Sequence, residues 1–173
     1  MDRQLARALA LAAGLACGAV ASPALAFERQ WHAGLDAGGA ALDAGDRSLG
    51  FGGGAHLGYG LDDAWNAMLE VDVTRHPSQS MTVASGAVGV AYTLDVLRWV
   101  PYLGVLGGGY WLGDGATSRT APGVQLALGV DYQCTRHFAL GAQLRLHQVF
   151  AAEPLGTTSY ATTFARAEWT WGY

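Results

Sequence analysis

Six side chains in this sequence could act together electrostatically: Asp36, Glu70, Asp72, Arg145, Arg166 and Glu168. Carboxylates and guanidinium groups can line a conducting path, or they can neutralise one another in a lattice that blocks one. Charges removed from water must be paired, because an isolated buried ion is too costly. His32, His56 and His147 share the parity of these charges and raise the question of a metal. They fall on three separate segments without a ligand-spacing motif, so hydrogen-bonded interior histidines are expected, with no metal and no cofactor. His76 and His137 fall among turn residues. The Gly-rich runs Gly50 to Gly54 and Gly107 to Gly109 neither open a helix nor precede a Lys-Ser/Thr pair, so they are strand glycines rather than phosphate loops.

The elements that position these groups follow from period-2 alternation. In Val124 to Tyr132, the residues Val124, Leu126, Leu128, Val130 and Tyr132 share one face, and Gln125, Ala127, Gly129 and Asp131 the other. The next run sets Phe138, Leu140, Ala142, Leu144 and Leu146 against Ala139, Gly141, Gln143, Arg145 and His147. On a helix these residues would scatter round the axis, whereas a strand sorts them onto two faces. Similar runs cover about Gln30 to Ala40, Leu49 to Leu61, Ala64 to Arg75, Met81 to Leu94, Trp99 to Leu112 and Ser159 to Tyr173, making eight strands. The fifth is glycine-rich and its facing is ambiguous. Short connections, such as Leu61 to Ala64, Asp95 to Arg98 and Gln133 to His137, alternate with others. Of these, Ala41 to Ser48, Gly113 to Pro122 and Ala151 to Thr158 read as longer loops, and His76 to Ser80 as a short one.

Composition narrows the class. Arg3 and Arg7 precede an apolar run from Leu9 to about Ala21, followed by Ser22-Pro23-Ala24-Leu25-Ala26. That order is a secretory signal peptide over residues 1–26, cut after Ala26, and leaves a domain over 27–173. A lipidated Cys17 is disfavoured because Gly14 stands where a lipobox wants a large aliphatic residue. Cys134 is then the one remaining cysteine, so no disulfide framework is expected. The net charge of −4 offers no basic patch for nucleic acid. Charged residues make up 14 %, against about a quarter in ordinary domains. Beyond the leader, no apolar stretch is long enough for a spanning helix.

Alternation alone also fits a soluble sandwich or barrel, so the positions of aromatics and charges must decide. Trp31, Tyr59, Trp65, Tyr92, Trp99, Tyr132, Phe138 and Trp171 fall at the strand ends expected to face the periplasm, with Tyr102 added by the fifth strand. Rings gathered at one height form an interfacial girdle. The six charges instead share the small-residue face, the reverse of a soluble barrel. An Arg or Lys on the lipid face near the midplane costs roughly 2–4 kcal/mol. Arg75 is the exception, placed at a strand end where it can reach the interface. Strands crossing lipid must close into a ring to satisfy their backbone groups. An all-β fold is therefore expected: an eight-stranded antiparallel up-and-down transmembrane β-barrel. Its lumen would be just wide enough for side chains to fill.

The C-terminal run Ala167-Glu168-Trp169-Thr170-Trp171-Gly172-Tyr173 resembles the aromatic β-signal read by the outer-membrane assembly machinery. Arg98-Trp99-Val100-Pro101-Tyr102-Leu103-Gly104 resembles the Arg-x-x-Pro-Tyr-x-Gly segment of OmpA-like small barrels. The resemblance implies an outer-membrane location and contact with outer-membrane lipid and the assembly machinery. It also extends the girdle to Trp169 and Tyr173. No periplasmic domain is implied. Among such barrels the lipid A deacylases carry His and Ser two apart on the seventh strand. Here His147 is followed by Gln148 and Val149, and neither Ser80 nor Ser85 has a His two residues away, so no enzyme is expected. The expected role is structural or surface-interacting, with a filled lumen and display of loops 41–48, 113–122 and 151–158. The alternatives are a narrow channel or binder of a small amphiphile, and a lipid-modifying enzyme. Leu126→Arg or Leu144→Arg should block assembly, and Gln125→Glu should be tolerated better.

Overall fold

The computed structural model describes residues 29–44, 46–94, 98–150 and 157–172. The expected signal peptide, Tyr173, Asp95 to Leu97 and most of the segment from Ala151 lie outside the described residues. The strands are β1 (Trp31–Ala44), β2 (Asp46–Gly60), β3 (Trp65–His76), β4 (Met81–Thr93), β5 (Trp99–Gly113), β6 (Ser118–Thr135), β7 (Phe138–Phe150) and β8 (Thr157–Trp171). Each pairs with the next, and β8 returns to β1, closing the barrel. The antiparallel seam runs from Trp31 opposite Trp171 to Asp43 opposite Ser159. Closure leaves no strand edge, so every wall strand finds backbone partners on both sides.

The two faces separate as the alternation requires. Leu35, Phe51, Val88, Val105, Leu126 and Leu144 point outward and are exposed, while Glu70 and Arg145 point inward with 1 % and 0 % exposure. The fifth strand resolves in the same way, with Tyr102, Gly104, Leu106, Tyr110 and Leu112 turned in and Leu103, Val105 and Trp111 turned out. Inner glycines make room for neighbours. A Cβ on Gly129 would sit 2.4 Å from Tyr102 Cζ, and one on Gly123 would sit 2.5 Å from a ring carbon of Tyr110.

Two expected loops are mostly strand. β1 continues to Ala44 and β2 begins at Asp46, where a loop over 41–48 was expected, and β6 begins at Ser118, reducing the loop expected over 113–122 to residues 114–117. Above the apolar band the outward face of a strand meets water and need not be apolar, so alternation fades while the hydrogen-bonded ladder continues. At 18 residues, β6 far exceeds the roughly 9–11 needed to cross a bilayer. His76, expected in a turn, is the last residue of β3 and is fully buried.

Connections at the two ends are held locally. Asp62 Oδ1 accepts the N–H groups of Ala64 and Trp65 at 2.8 and 2.7 Å in the β2–β3 turn. Asp114 Oδ1 does the same for Ala116 and Thr117 at 2.9 and 2.7 Å. Stabilising the ionised form in this way lowers both carboxyl pKa values.

Candidate functional site: the barrel lumen

The lumen is stratified along the barrel axis. At its middle, Arg145 on β7 reaches three carboxylates on two strands, β1 and β3. Its Nη2 donates to Asp36 Oδ2 at 2.8 Å, while Nε lies 3.2 Å from Glu70 Oε2 and Nη1 lies 3.6 Å from Asp72 Oδ2. The last two are ion contacts without hydrogen-bond geometry. The guanidinium also lies 5.3 Å from the centroid of the Phe164 ring, within the range of a cation–π contact. Gln125 and Gln143 donate to the two Glu70 oxygens, and Ser85 donates to Asp72.

Towards the end where β1 begins and β8 ends, Arg166 on β8 organises a second cluster. Its Nη2 lies 2.7 Å from both Glu168 Oε2 and His56 Nε2, and its Nε lies 3.3 Å from Asp131 Oδ1. Nη1 donates to the Tyr102 hydroxyl, and the guanidinium stacks 4.8 Å above that ring. His56 joins the two clusters, because its Nδ1 lies 3.1 Å from Asp36 Oδ2. Its Nε2 faces both the Arg166 donor and, at 3.1 Å, the Glu168 Oε2 acceptor. His32 Nδ1 lies 3.2 Å from Glu168 Oε1. The chain His32–Glu168–His56–Asp36–Arg145 therefore runs unbroken through the interior.

The opposite end is capped differently. Leu42, Val83, Tyr110, Leu112, Ala121, Val149 and Tyr160 form a buried apolar cluster with Met81 packed against it. His147 stacks on Tyr160 at 4.1 Å with an interplanar angle of 1°. Its ring nitrogens lie 3.2 Å from the hydroxyls of Tyr110 and Thr162. These partners differ from the serine and carboxylate that a hydrolytic relay uses. Below the Arg166 cluster the lumen opens into a cup of about 280 Å³.

All six charges singled out from the sequence are buried inside the barrel, and they divide between two arginine centres rather than forming one layer. The histidines lie within these networks, and no group of three His, Cys, Asp or Glu side chains gathers for a metal among the described residues. Sequence reading placed Asp131, Gln125 and Gln143 on the inner face without recognising their partners. Two expectations need correction. Tyr102 is not a girdle residue: it stands three positions after outward-facing Trp99, so its parity turns it inward, beneath Arg166. Gln125→Glu loses its expected tolerance, because Gln125 donates to Glu70 and a glutamate there would oppose another carboxylate.

On the outside, rings at the end where β1 begins and β8 ends pair across strands. Ring centroids are 4.8 Å apart for Trp31 and Tyr59, 5.2 Å for Trp65 and Tyr92, 4.9 Å for Trp99 and Tyr132, and 4.7 Å for Phe138 and Trp169. Each pair joins two strands whose connecting turn lies at the far end, so it fastens the open end of a hairpin. Trp171 faces outward opposite Trp31 at the seam, whereas Tyr173 lies outside the described residues.

An apolar outer wall, a charged interior and a ring of amphipathic aromatics define a transmembrane β-barrel. The chain belongs to the outer membrane protein beta-barrel domain family, which it matches over residues 9–166, and its place is the bacterial outer membrane. No curated protein sequence matches it. The fold is similar to that of Neisserial surface protein A, with a TM-score of 0.72, 18 % identity, and coverage of 80 % of this chain and 96 % of that one. Ail of Yersinia pestis is similar with a TM-score of 0.56 and 12 % identity over 83 % of this chain and 99 % of that one. OprG of Pseudomonas aeruginosa has a TM-score of 0.57 and 10 % identity over 87 % of this chain and 100 % of that one. The end where β1 begins and β8 ends also carries the turns at 61–64 and 136–137.

Proposed function

We propose that this protein is a sealed outer-membrane barrel whose role is structural or surface-interacting rather than conductive. The observation that carries this reading is Arg145, fully buried at mid-lumen and within 3.6 Å of carboxylates on β1 and β3. An ion passing this point would have to separate charges already desolvated against one another. The Tyr110–His147–Tyr160 cap supports the same reading, since it adds an apolar barrier above the ionic one. The surface offered outside the cell then includes the end of β5 and β6, whose four-residue turn displays Asp114, Ala116 and Thr117 beside Ser118 and Arg119. Outer-membrane lipid is the partner of the outer wall. The assembly machinery is the partner of the C-terminal aromatics, Trp169 and Trp171 among them.

Potassium efflux from vesicles carrying the folded protein tests the seal. Efflux should match that of protein-free vesicles, and rapid efflux proportional to the amount of inserted protein would favour the narrow-channel alternative.

A further inference from the structure

The lumen is short of positive charge. Asp36, Glu70, Asp72, Asp131 and Glu168 are buried there, against Arg145 and Arg166. Arg145 serves Asp36, Glu70 and Asp72, and Arg166 serves Glu168, with His32 and His56 beside that carboxylate. Asp131 is the least well matched. Its Oδ1 has the Arg166 Nε at 3.3 Å and no hydrogen bond, although the residue is only 6 % exposed. Across the barrel on β3, Asn66 is 5 % exposed and gives its amide N–H to Thr93 at 2.8 Å, which leaves Oδ1 buried without a donor. Both residues line the cup below the Arg166 cluster. A buried acceptor without a donor costs the desolvation it suffered, so two in one cavity favour a guest that brings N–H groups.

The remaining wall specifies the other half of that guest. Met68, Ala91, Val100 and Ala139, on β3, β4, β5 and β7, give the cup an apolar lining beside Asn66 and Asp131, while Glu168, His32 and Arg166 form its polar floor. Arg136, at the mouth, is exposed to water, where its repulsion of a cation is screened. We propose that this cup binds a short alkylammonium ion. Its N–H donors meet Asp131 and Asn66, and its chain lies against Met68, Ala91, Val100 and Ala139. A bare divalent metal suits the cup less well, since no set of three ligating side chains gathers there. The site lies below Arg145 and does not depend on whether the upper lumen is sealed.

Titration of the full-length folded protein in detergent micelles with n-butylammonium, followed by calorimetry, tests the proposal. Saturable single-site binding is expected, and it should be absent for n-butanol, which lacks the charge, and for tetramethylammonium, which lacks N–H donors. Asp131→Asn should weaken it by about tenfold or more, the effect of removing a charged hydrogen-bond partner. Ala91→Leu, which fills the cup without touching a charge, should abolish it. Arg75→Gln on the outer wall should leave it unchanged. Folding of each variant is checked by its heat-dependent mobility on gels. Should Asp131→Asn not fold, Ala91→Leu and the tetramethylammonium comparison decide the matter. The proposal is overturned if n-butylammonium shows no saturable binding, if tetramethylammonium binds equally well, or if folded Ala91→Leu binds like the parent.

Discussion

Arg145 on β7 lies 2.8 Å from Asp36 on β1, a contact that passes over β8 and so crosses the lumen instead of following its wall. Because the same guanidinium also faces Glu70 and Asp72 on β3, one side chain ties opposite sides of the barrel together.

Arg145→Met removes the cation and leaves three buried carboxylates facing one another. Loss of one partner of a buried ion pair costs about 3–5 kcal/mol. Urea unfolding in lipid vesicles should register a loss of that order, with part recovered in Arg145→Lys, which keeps the charge but not the planar fork. An Arg145→Met barrel as resistant to urea as the parent would mean that the lattice does not hold the barrel together.

Leu126 faces outward at mid-height on β6. Leu126→Arg should lower unfolding stability in bilayers by roughly 2–4 kcal/mol, while Leu126→Met should change little. Equal stability of the two variants would refute the assignment of this face to lipid.

Tyr102 occupies space that Gly129 leaves open. Gly129→Ala should destabilise by about 1–3 kcal/mol through overpacking. Combined with Tyr102→Leu, its cost should shrink, giving a coupling in a double-mutant cycle. Strict additivity would show that the two positions do not share that space.

Tyr102 also marks where sequence reading stops. Strand number, pairing order and the facing of β6, β7 and β8 were legible, because one face had to be apolar and period-2 alternation records that directly. The facing of β5 was not, since Gly107 to Gly109 carry no side chains to alternate. Tyr102 stood close to the girdle residues in sequence but on the opposite parity, and only its place beneath Arg166 reveals its role. Strand ends outside the apolar band were misjudged for a related reason: at Ala41 to Ala44 and Ser118 to Ala121 the pattern fades although the ladder persists. Inward charges could be named from parity. Their division between Arg145 and Arg166, and the link through His56, depends on side chains meeting across the lumen, which spacing along the chain does not encode.

Asp62 in the β2–β3 turn accepts two backbone N–H groups, which lowers its carboxyl pKa. A carboxyl whose folded value lies below its unfolded one stabilises the folded state above the unfolded value, and that contribution is lost as the pH falls through the folded value. The parent should therefore be more stable than Asp62→Ala at neutral pH, and the difference should vanish once the turn carboxyl is protonated. Urea unfolding at several pH values checks this, and a gap that persists in acid would contradict it.

The seal itself is tested most directly by single-channel recording of the folded protein in planar bilayers at neutral pH. Insertion without discrete conductance steps is predicted for the parent chain. Reproducible steps from singly inserted, correctly folded barrels would contradict the closed lumen.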